Sequence, residues 1–201
     1  MAVTTGTATD DRVERITARA VAVQQRAGGA TWWYDWVNAH RVGGIALVGV
    51  IATQLGTYFG YVFPAIGLPQ LPWPAFNGVL AAPGEAFDSA GAFFTGQMLH
   101  FVNGIVFAIL YAVLALKLLP GRNTPGGNVL KGLTYGVIMT IISVGVLVPY
   151  AYVPKQGFGL FTFYGPAGWK LPFAVLLWHL IYGLFLGLLF QVKDDEETEA
   201  A

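Results

Sequence analysis

The stretch LHFVNGIVFAILY, residues 99–111, carries a histidine and an asparagine within a run of apolar residues, and WHLIYGLFLGLLF, residues 178–190, repeats its pattern. The 201-residue chain around them is 55% hydrophobic and only 11% charged. A water-soluble domain does not keep so small a charged fraction on its surface. We therefore expect both stretches to lie inside membrane-spanning segments.

Four apolar stretches are long enough to cross about 30 Å of hydrocarbon, which takes roughly 20 helical residues. None contains Asp or Glu, and their only basic residues, Lys117 and Lys131, lie close enough to helix ends to extend towards water. Backbone groups in lipid have to be hydrogen-bonded within the segment, so the segments are predicted to be helices. The predicted fold is an all-α, polytopic membrane protein with four transmembrane helices, near residues 42–63, 93–119, 129–153 and 171–192.

The positive residues predict the orientation of these helices. Two of them, Lys155 and Lys170, lie on one side, and nine lie on the side that carries both termini. Because cytoplasmic segments are enriched in Lys and Arg, we expect both termini in the cytoplasm and the protein in the plasma (inner) membrane. The predicted parts are an amphipathic arm with an interfacial segment (1–41), the four-helix domain (42–192) and an acidic tail (193–201).

Four further segments are unusual. Residues 10–29 have the pattern of an amphipathic helix that could lie on the inner leaflet, dock on a partner or remain a solvated arm. TWWYDWVNAHR, residues 31–41, is typical of an interfacial aromatic belt. The two outer loops, 62–91 and 153–172, are rich in Pro, Gly and aromatic residues, so we expect them to fold onto the bundle or to be buried against another subunit.

The chain repeats a helix pair. Aligning the two opening stretches superposes His100 on His179 and Gly104 on Gly183, and GVIAT at 49–53 matches GVIMT at 136–140 more loosely. The predicted architecture is therefore a tandem repeat of two helix pairs, related by a pseudo-two-fold axis along the membrane normal.

With a GVxxT phrase in helices 1 and 3 and a His-x-x-x-Gly phrase in helices 2 and 4, the chain resembles a family of small, uncharacterised four-helix bacterial inner-membrane proteins. The resemblance covers roughly residues 42–192. It implies a topology, and it carries no established activity.

Each histidine stands in a row of small residues at four-residue steps, and such rows allow close helix packing in lipid. The predicted helix-packing residues are Gly49, Gly96, Gly104, Gly136, Gly183 and Gly187. Three roles stay open for the two histidines. They hydrogen-bond across helix interfaces, to Thr53, Gln54, Asn103, Thr140 or Ser143. Because both lie at the same predicted depth, they could instead bind one haem b as a cofactor, or a copper or zinc ion, which would need further ligands.

Composition removes several classes of function. The chain has no cysteine and a formal net charge of zero, which argues against thiolate chemistry and against a nucleic-acid partner. Asp35 and His40 are spaced poorly for a shared helical face, so we expect no metal site there. We also expect no catalytic activity.

The predicted partners are the lipid bilayer and other membrane-protein subunits. The expected function is a non-catalytic accessory or structural subunit of a membrane complex, with a haem- or metal-binding electron-transfer subunit and a small-solute transporter as alternatives.

Overall fold

The computed structural model of the protein describes residues 31–152 and 167–192, and within these ranges every regular element is a helix. A short helix, α1, covers 31–39, and α3 (Trp73–Ala81) is a second short helix. The four long helices are α2 (Arg41–Val62), α4 (Ala90–Leu110), α5 (Pro125–Ile142) and α6 (Lys170–Leu189).

Three of the long helices continue in other helical geometries. A 3₁₀ turn, Phe63–Ile66, extends α2; a π segment, Tyr111–Ala115, followed by Leu116–Leu118, extends α4. The π segment Ser143–Tyr152 extends α5 and contains Pro149. Proline has no N–H for the helical ladder, and a π turn is one way in which a helix accommodates such an interruption.

Together with these extensions, the four long helices are long and apolar enough to cross a membrane. They cover Arg41–Ile66, Ala90–Leu118, Pro125–Val148 and Lys170–Leu189, with lengths of 26, 29, 24 and 20 residues. The prediction of an all-α, multi-pass membrane protein is therefore confirmed. The observed helices begin one to four residues before the predicted starts. Residues 1–30, 153–166 and 193–201, which include the predicted arm, most of the second outer loop and the acidic tail, lie outside the described residues.

Local sequence explains where two of the long helices begin. Ser89 precedes α4 and its Oγ accepts a hydrogen bond from the N–H of Ala92 (3.0 Å). Thr124 precedes α5, where its Oγ1 accepts from the N–H of Gly127 (3.1 Å) and Pro125 occupies the first helical position. Both are N-caps that satisfy backbone donors the helix leaves unpaired.

The long helices pack antiparallel in two pairs, α2 with α4 and α5 with α6, and α2 also packs against α6. In the first pair Gly49 lies against the carbonyl of Gly104. The sequence alignment would place Gly136 against Gly183, but Gly136 lies against the carbonyl of His179, four residues earlier in α6. The two pairs thus pack in registers that differ by one helical turn, and the tandem repeat stays a prediction.

The first outer loop folds onto the bundle, which was one of the two expectations for it. Its helix α3 packs tightly on α4, where a Cβ at Gly96 would overlap the carbonyl of Pro74 and one at Gly78 would overlap that of Ala92. Glycine at these positions lets the two backbones touch. The loop therefore contributes α3 as an additional element of the core, at what we call the α3 end of the bundle.

At the opposite end, which we call the α1 end, α1 docks on the terminus of α6. Val37 is fully buried, and Trp33 Nε1 donates to the carbonyl of Leu189 (2.8 Å). Asn38 Nδ2 donates to the carbonyl of Gln191 (2.9 Å), while Trp32 is 65% exposed. Only part of the predicted aromatic belt is therefore available to an interface, and the buried side of α1 closes the bundle.

The prediction that Lys131 extends towards water is wrong. Lys131 is buried, and its Nζ donates to the carbonyl of Leu116 (2.9 Å) and to Oδ1 of Asn123 (2.8 Å). The physical reason is that the last carbonyls of a helix lack partners within the helix and carry its negative dipole end. Lys117, the other basic residue near a helix end, is exposed as expected.

Candidate functional site

A small cavity of about 70 Å³ lies among α2, α3, α4, α5 and α6 and brings the two predicted histidines together. This volume has room for a few water molecules, since one water takes roughly 30 Å³ in the liquid. Both imidazoles are 93% buried. The polar side chains on its wall are Thr53, Asn77, His100, Asn103, Ser143 and His179.

His100 is held by side chains from two neighbouring helices. Its Nε2 lies 3.0 Å from Oγ1 of Thr57 in α2, and its Nδ1 lies 3.3 Å from Nδ2 of Asn77 in α3. Thr57 Oγ1 in turn donates to the carbonyl of Thr53 (2.8 Å). This chain of hydrogen bonds joins α2, α3 and α4 at one point.

The partners determine where the protons lie. The Thr57 hydroxyl gives its only hydrogen to a carbonyl, so it can only accept from His100, whose Nε2 is the donor. Nδ1 of the neutral ring is then an acceptor, and the Asn77 amide supplies the hydrogen. Both ring nitrogens of His100 are therefore used within the protein.

His179 is arranged differently. Its Nδ1 lies 2.9 Å from the carbonyl of Val175 in the same helix, and because a carbonyl only accepts, Nδ1 carries the hydrogen. Nε2 of the neutral ring is then an acceptor, and this side chain lines the cavity. Of the two histidines, His179 is the one with a ring nitrogen left for a bound molecule.

Aromatic rings close the site on the α6 side. The ring of Trp178 lies 5.5 Å from that of His100 and 5.2 Å from that of His179, and it stacks on Tyr182 at 5.8 Å. The Tyr182 hydroxyl donates to the carbonyl of Gly104 (2.7 Å) and so ties α6 to α4. The indole N–H of Trp178 and the hydroxyl oxygen of Thr53 are buried without a hydrogen-bond partner among residues 31–152 and 167–192.

The residues at the cavity offer little to a metal ion or a haem. No group of three His, Asp or Glu side chains comes together within residues 31–152 and 167–192. For His100 to bind haem iron, one of its ring nitrogens would have to leave Thr57 or Asn77. The cavity is also well below the roughly 300–1,000 Å³ that drug-sized ligands occupy. The haem alternative stays a prediction that this geometry does not favour.

All six glycines that the sequence singled out for helix packing lie at close contacts between helices. A Cβ at Gly183 or Gly187 would overlap the backbone of α5, and one at Gly104 would overlap the Thr53 side chain. Gly49 and Gly136 make the register contacts described above, and Gly96 contacts α3 rather than another long helix. The rows of small residues therefore mark where backbones approach.

Sequence reasoning missed the actual partners of His100. Thr57 lies one turn beyond Thr53, which was named, and the four-residue step between them was the available signal. Asn77 comes from α3 in the first outer loop, and no residue of that loop was named as a partner. None of the five partners named from sequence bonds to either histidine in the described residues, although Thr53, Asn103 and Ser143 line the cavity.

Comparisons with known protein families, with curated proteins and with solved structures find no match for this chain. The resemblance based on the GVxxT and His-x-x-x-Gly phrases stays a prediction.

Proposed function

We propose that this protein is a non-catalytic accessory subunit of a larger integral-membrane complex, in the plasma (inner) membrane with both termini in the cytoplasm. The observation that carries the proposal is the closed hydrogen-bond chain through Asn77, His100 and Thr57. A histidine whose two nitrogens are bonded to neighbouring helices holds a core together, and it has no lone pair left for proton transfer or metal ligation.

The distribution of burial supports a partner on one side of the bundle. Half of the most apolar window of α6 and 44% of that of α2 are buried within the chain, against 33% for α4 and for α5. The second and third membrane helices thus leave the larger apolar surface for lipid or for another helix. Large exposed side chains on this surface include Met98, Val102, Val106, Val137, Ile138 and Ile141.

Site-specific photocrosslinking in the native membrane tests the proposal. A photoreactive residue at Val106 or at Ile141 should form one defined adduct with a partner that also co-purifies in constant ratio after mild detergent extraction. The same residue at Leu47, an exposed position of α2, is the control and should not give that adduct. A chain that elutes alone, as 21.6 kDa plus its micelle, and forms no adduct from α4 or α5 contradicts the proposal.

A small-solute transporter is the second candidate, and one observation favours it. His179 lines the cavity with a ring nitrogen that accepts hydrogen bonds, which suits a small neutral donor of the size of a few waters. Proteoliposomes with this protein should then admit a small neutral solute faster than empty liposomes, as followed by light scattering. His179→Phe should abolish the difference. Equal rates with and without the protein would remove this candidate.

A further inference from the structure

A second recess lies at the α1 end of the bundle, away from the histidine cavity. It is a groove of about 310 Å³ between α2 and α4, and its walls are apolar side chains of both helices. These are Val42 and Ile45 from α2 and Ile109, Ala112 and Val113 from α4 and its π segment. Phe190, just after α6, completes the lining.

Two cations stand at one end of this groove. Arg41 is the first residue of α2, and Lys117 lies in the last turn of the second membrane helix. Both line the groove, both are exposed, and neither forms an ion pair with another described residue. Arg41 also adds its charge to the positive dipole end of α2.

The charged and the apolar residues of the groove lining are separated along the membrane normal. The eight residue steps from Lys117 back to Ile109 span about 12 Å at about 1.5 Å per helical residue. Positive charge therefore lies at the membrane surface, and the apolar walls run from it towards the hydrocarbon. An anionic phospholipid has the matching arrangement, with a negatively charged headgroup at the membrane surface and an acyl chain that extends from it into the hydrocarbon.

We propose that this groove binds one anionic phospholipid, with its phosphate between Arg41 and Lys117 and an acyl chain along Ile45 and Ile109. Basic recesses between membrane helices recognise anionic headgroups through the same combination of charge and apolar contact. A soluble phosphate would gain from the two cations and would leave the apolar walls uncovered. The lipid covers both, which is why we assign the site to a lipid.

Native mass spectrometry of the full-length protein, released from detergent with defined lipids, tests the assignment. Phosphatidylglycerol should remain bound at lower lipid concentration than phosphatidylcholine with the same acyl chains. Arg41→Gln and Lys117→Gln should each weaken retention of phosphatidylglycerol about fivefold, the effect of one basic residue near an anionic lipid surface. Retention of phosphatidylcholine should change little in either variant.

Two control variants separate the effect of positive charge from the effect of the groove's shape. Arg122→Gln removes a positive charge in the loop between α4 and α5, outside the groove lining, and should leave retention unchanged. Ala112→Phe fills the groove without changing charge and should reduce retention of the lipid. Size-exclusion profiles like that of the wild type show that each variant is folded.

Three results would overturn the assignment. Equal retention of the two lipids would show that charge does not select the occupant. Arg41→Gln and Lys117→Gln behaving like Arg122→Gln would place the lipid elsewhere. Displacement of phosphatidylglycerol by millimolar glycerol phosphate would show a site for the phosphate group alone.

Discussion

At the scale of single residues, two threonines one turn apart in α2 have opposite roles. Both are almost fully buried, but Thr57 accepts from His100 and donates to a carbonyl, whereas the Thr53 hydroxyl has no hydrogen-bond partner in the described part of the chain. A buried polar atom without a hydrogen bond costs free energy, and one within a bonded chain contributes to stability. The same side chain therefore stabilises the fold at 57 and is a cost at 53.

Valine, which has the shape of threonine without the hydroxyl, separates these roles. Thr57→Val should lower the free energy of unfolding by about 1–3 kcal/mol, because it leaves the His100 Nε2–H buried without an acceptor. Thr53→Val should be neutral or slightly stabilising. Thermal unfolding in detergent, followed by tryptophan fluorescence, measures both variants. A larger loss at position 53 than at 57 would contradict the assigned hydrogen-bond chain.

The two histidines should also differ in their contribution to stability. His100→Leu removes two bonds between helices, and His179→Leu removes one bond to its own helix. We expect the first substitution to lower the melting temperature clearly more than the second, at about 0.6–2 kcal/mol for each lost interhelical bond in a membrane protein. Equal losses would indicate that His179 has partners beyond Val175.

At the scale of elements, the bundle depends on close backbone contacts at glycines as well as on its buried aromatic and aliphatic side chains. Gly132 and Gly183 touch across α5 and α6, Gly49 lies against α4, and Gly78 lies against the N-terminal turn of α4. In lipid, apolar side chains gain nothing from leaving water, so close packing and short-range contacts hold helices together. The spacing of the glycines therefore determines the helix registers.

A comparison of two glycines in α2 checks this dependence. Gly49→Ala would bring a methyl group to 2.8 Å from the Ala108 Cβ and 2.9 Å from the Gly104 carbonyl oxygen, and should cost about 1–3 kcal/mol of stability. Gly43→Ala meets no atom within 4 Å and should be neutral, or gain up to about 1 kcal/mol from helix propensity. Equal thermal stabilities for the two variants would contradict the close contact between α2 and α4.

At the scale of the whole molecule, the two ends of the bundle are closed by different means. At one end α3 folds in from a loop and supplies Asn77; at the other, α1 docks through Val37 and Trp33. The positive residues concentrate at the α1 end, where the proposed orientation places the cytoplasm. The histidine cavity then lies towards the outer side and the proposed lipid groove in the inner leaflet.

The absence of cysteine from the chain makes this orientation easy to test. Asp88→Cys, before α4, should react with a membrane-impermeant maleimide in intact cells. Arg122→Cys, between α4 and α5, should react only after the cells are permeabilised. Both positions are exposed on the protein, so access depends on the membrane alone. The reverse pattern would invert the proposed topology.

The sequence by itself determined the number of membrane helices, their approximate limits and the faces on which Gly104 and Gly183 pack. These features follow from local composition, because each helix has to satisfy its own backbone in lipid and small residues mark its close-packing row. Only the tertiary structure decided that α3 enters the core, that Thr57 rather than Thr53 bonds His100, and that Lys131 is buried. The physical reason is one of distance: displacing a helix by a full turn of 5.4 Å leaves its pattern of faces unchanged, whereas a hydrogen bond tolerates only a few tenths of an ångström.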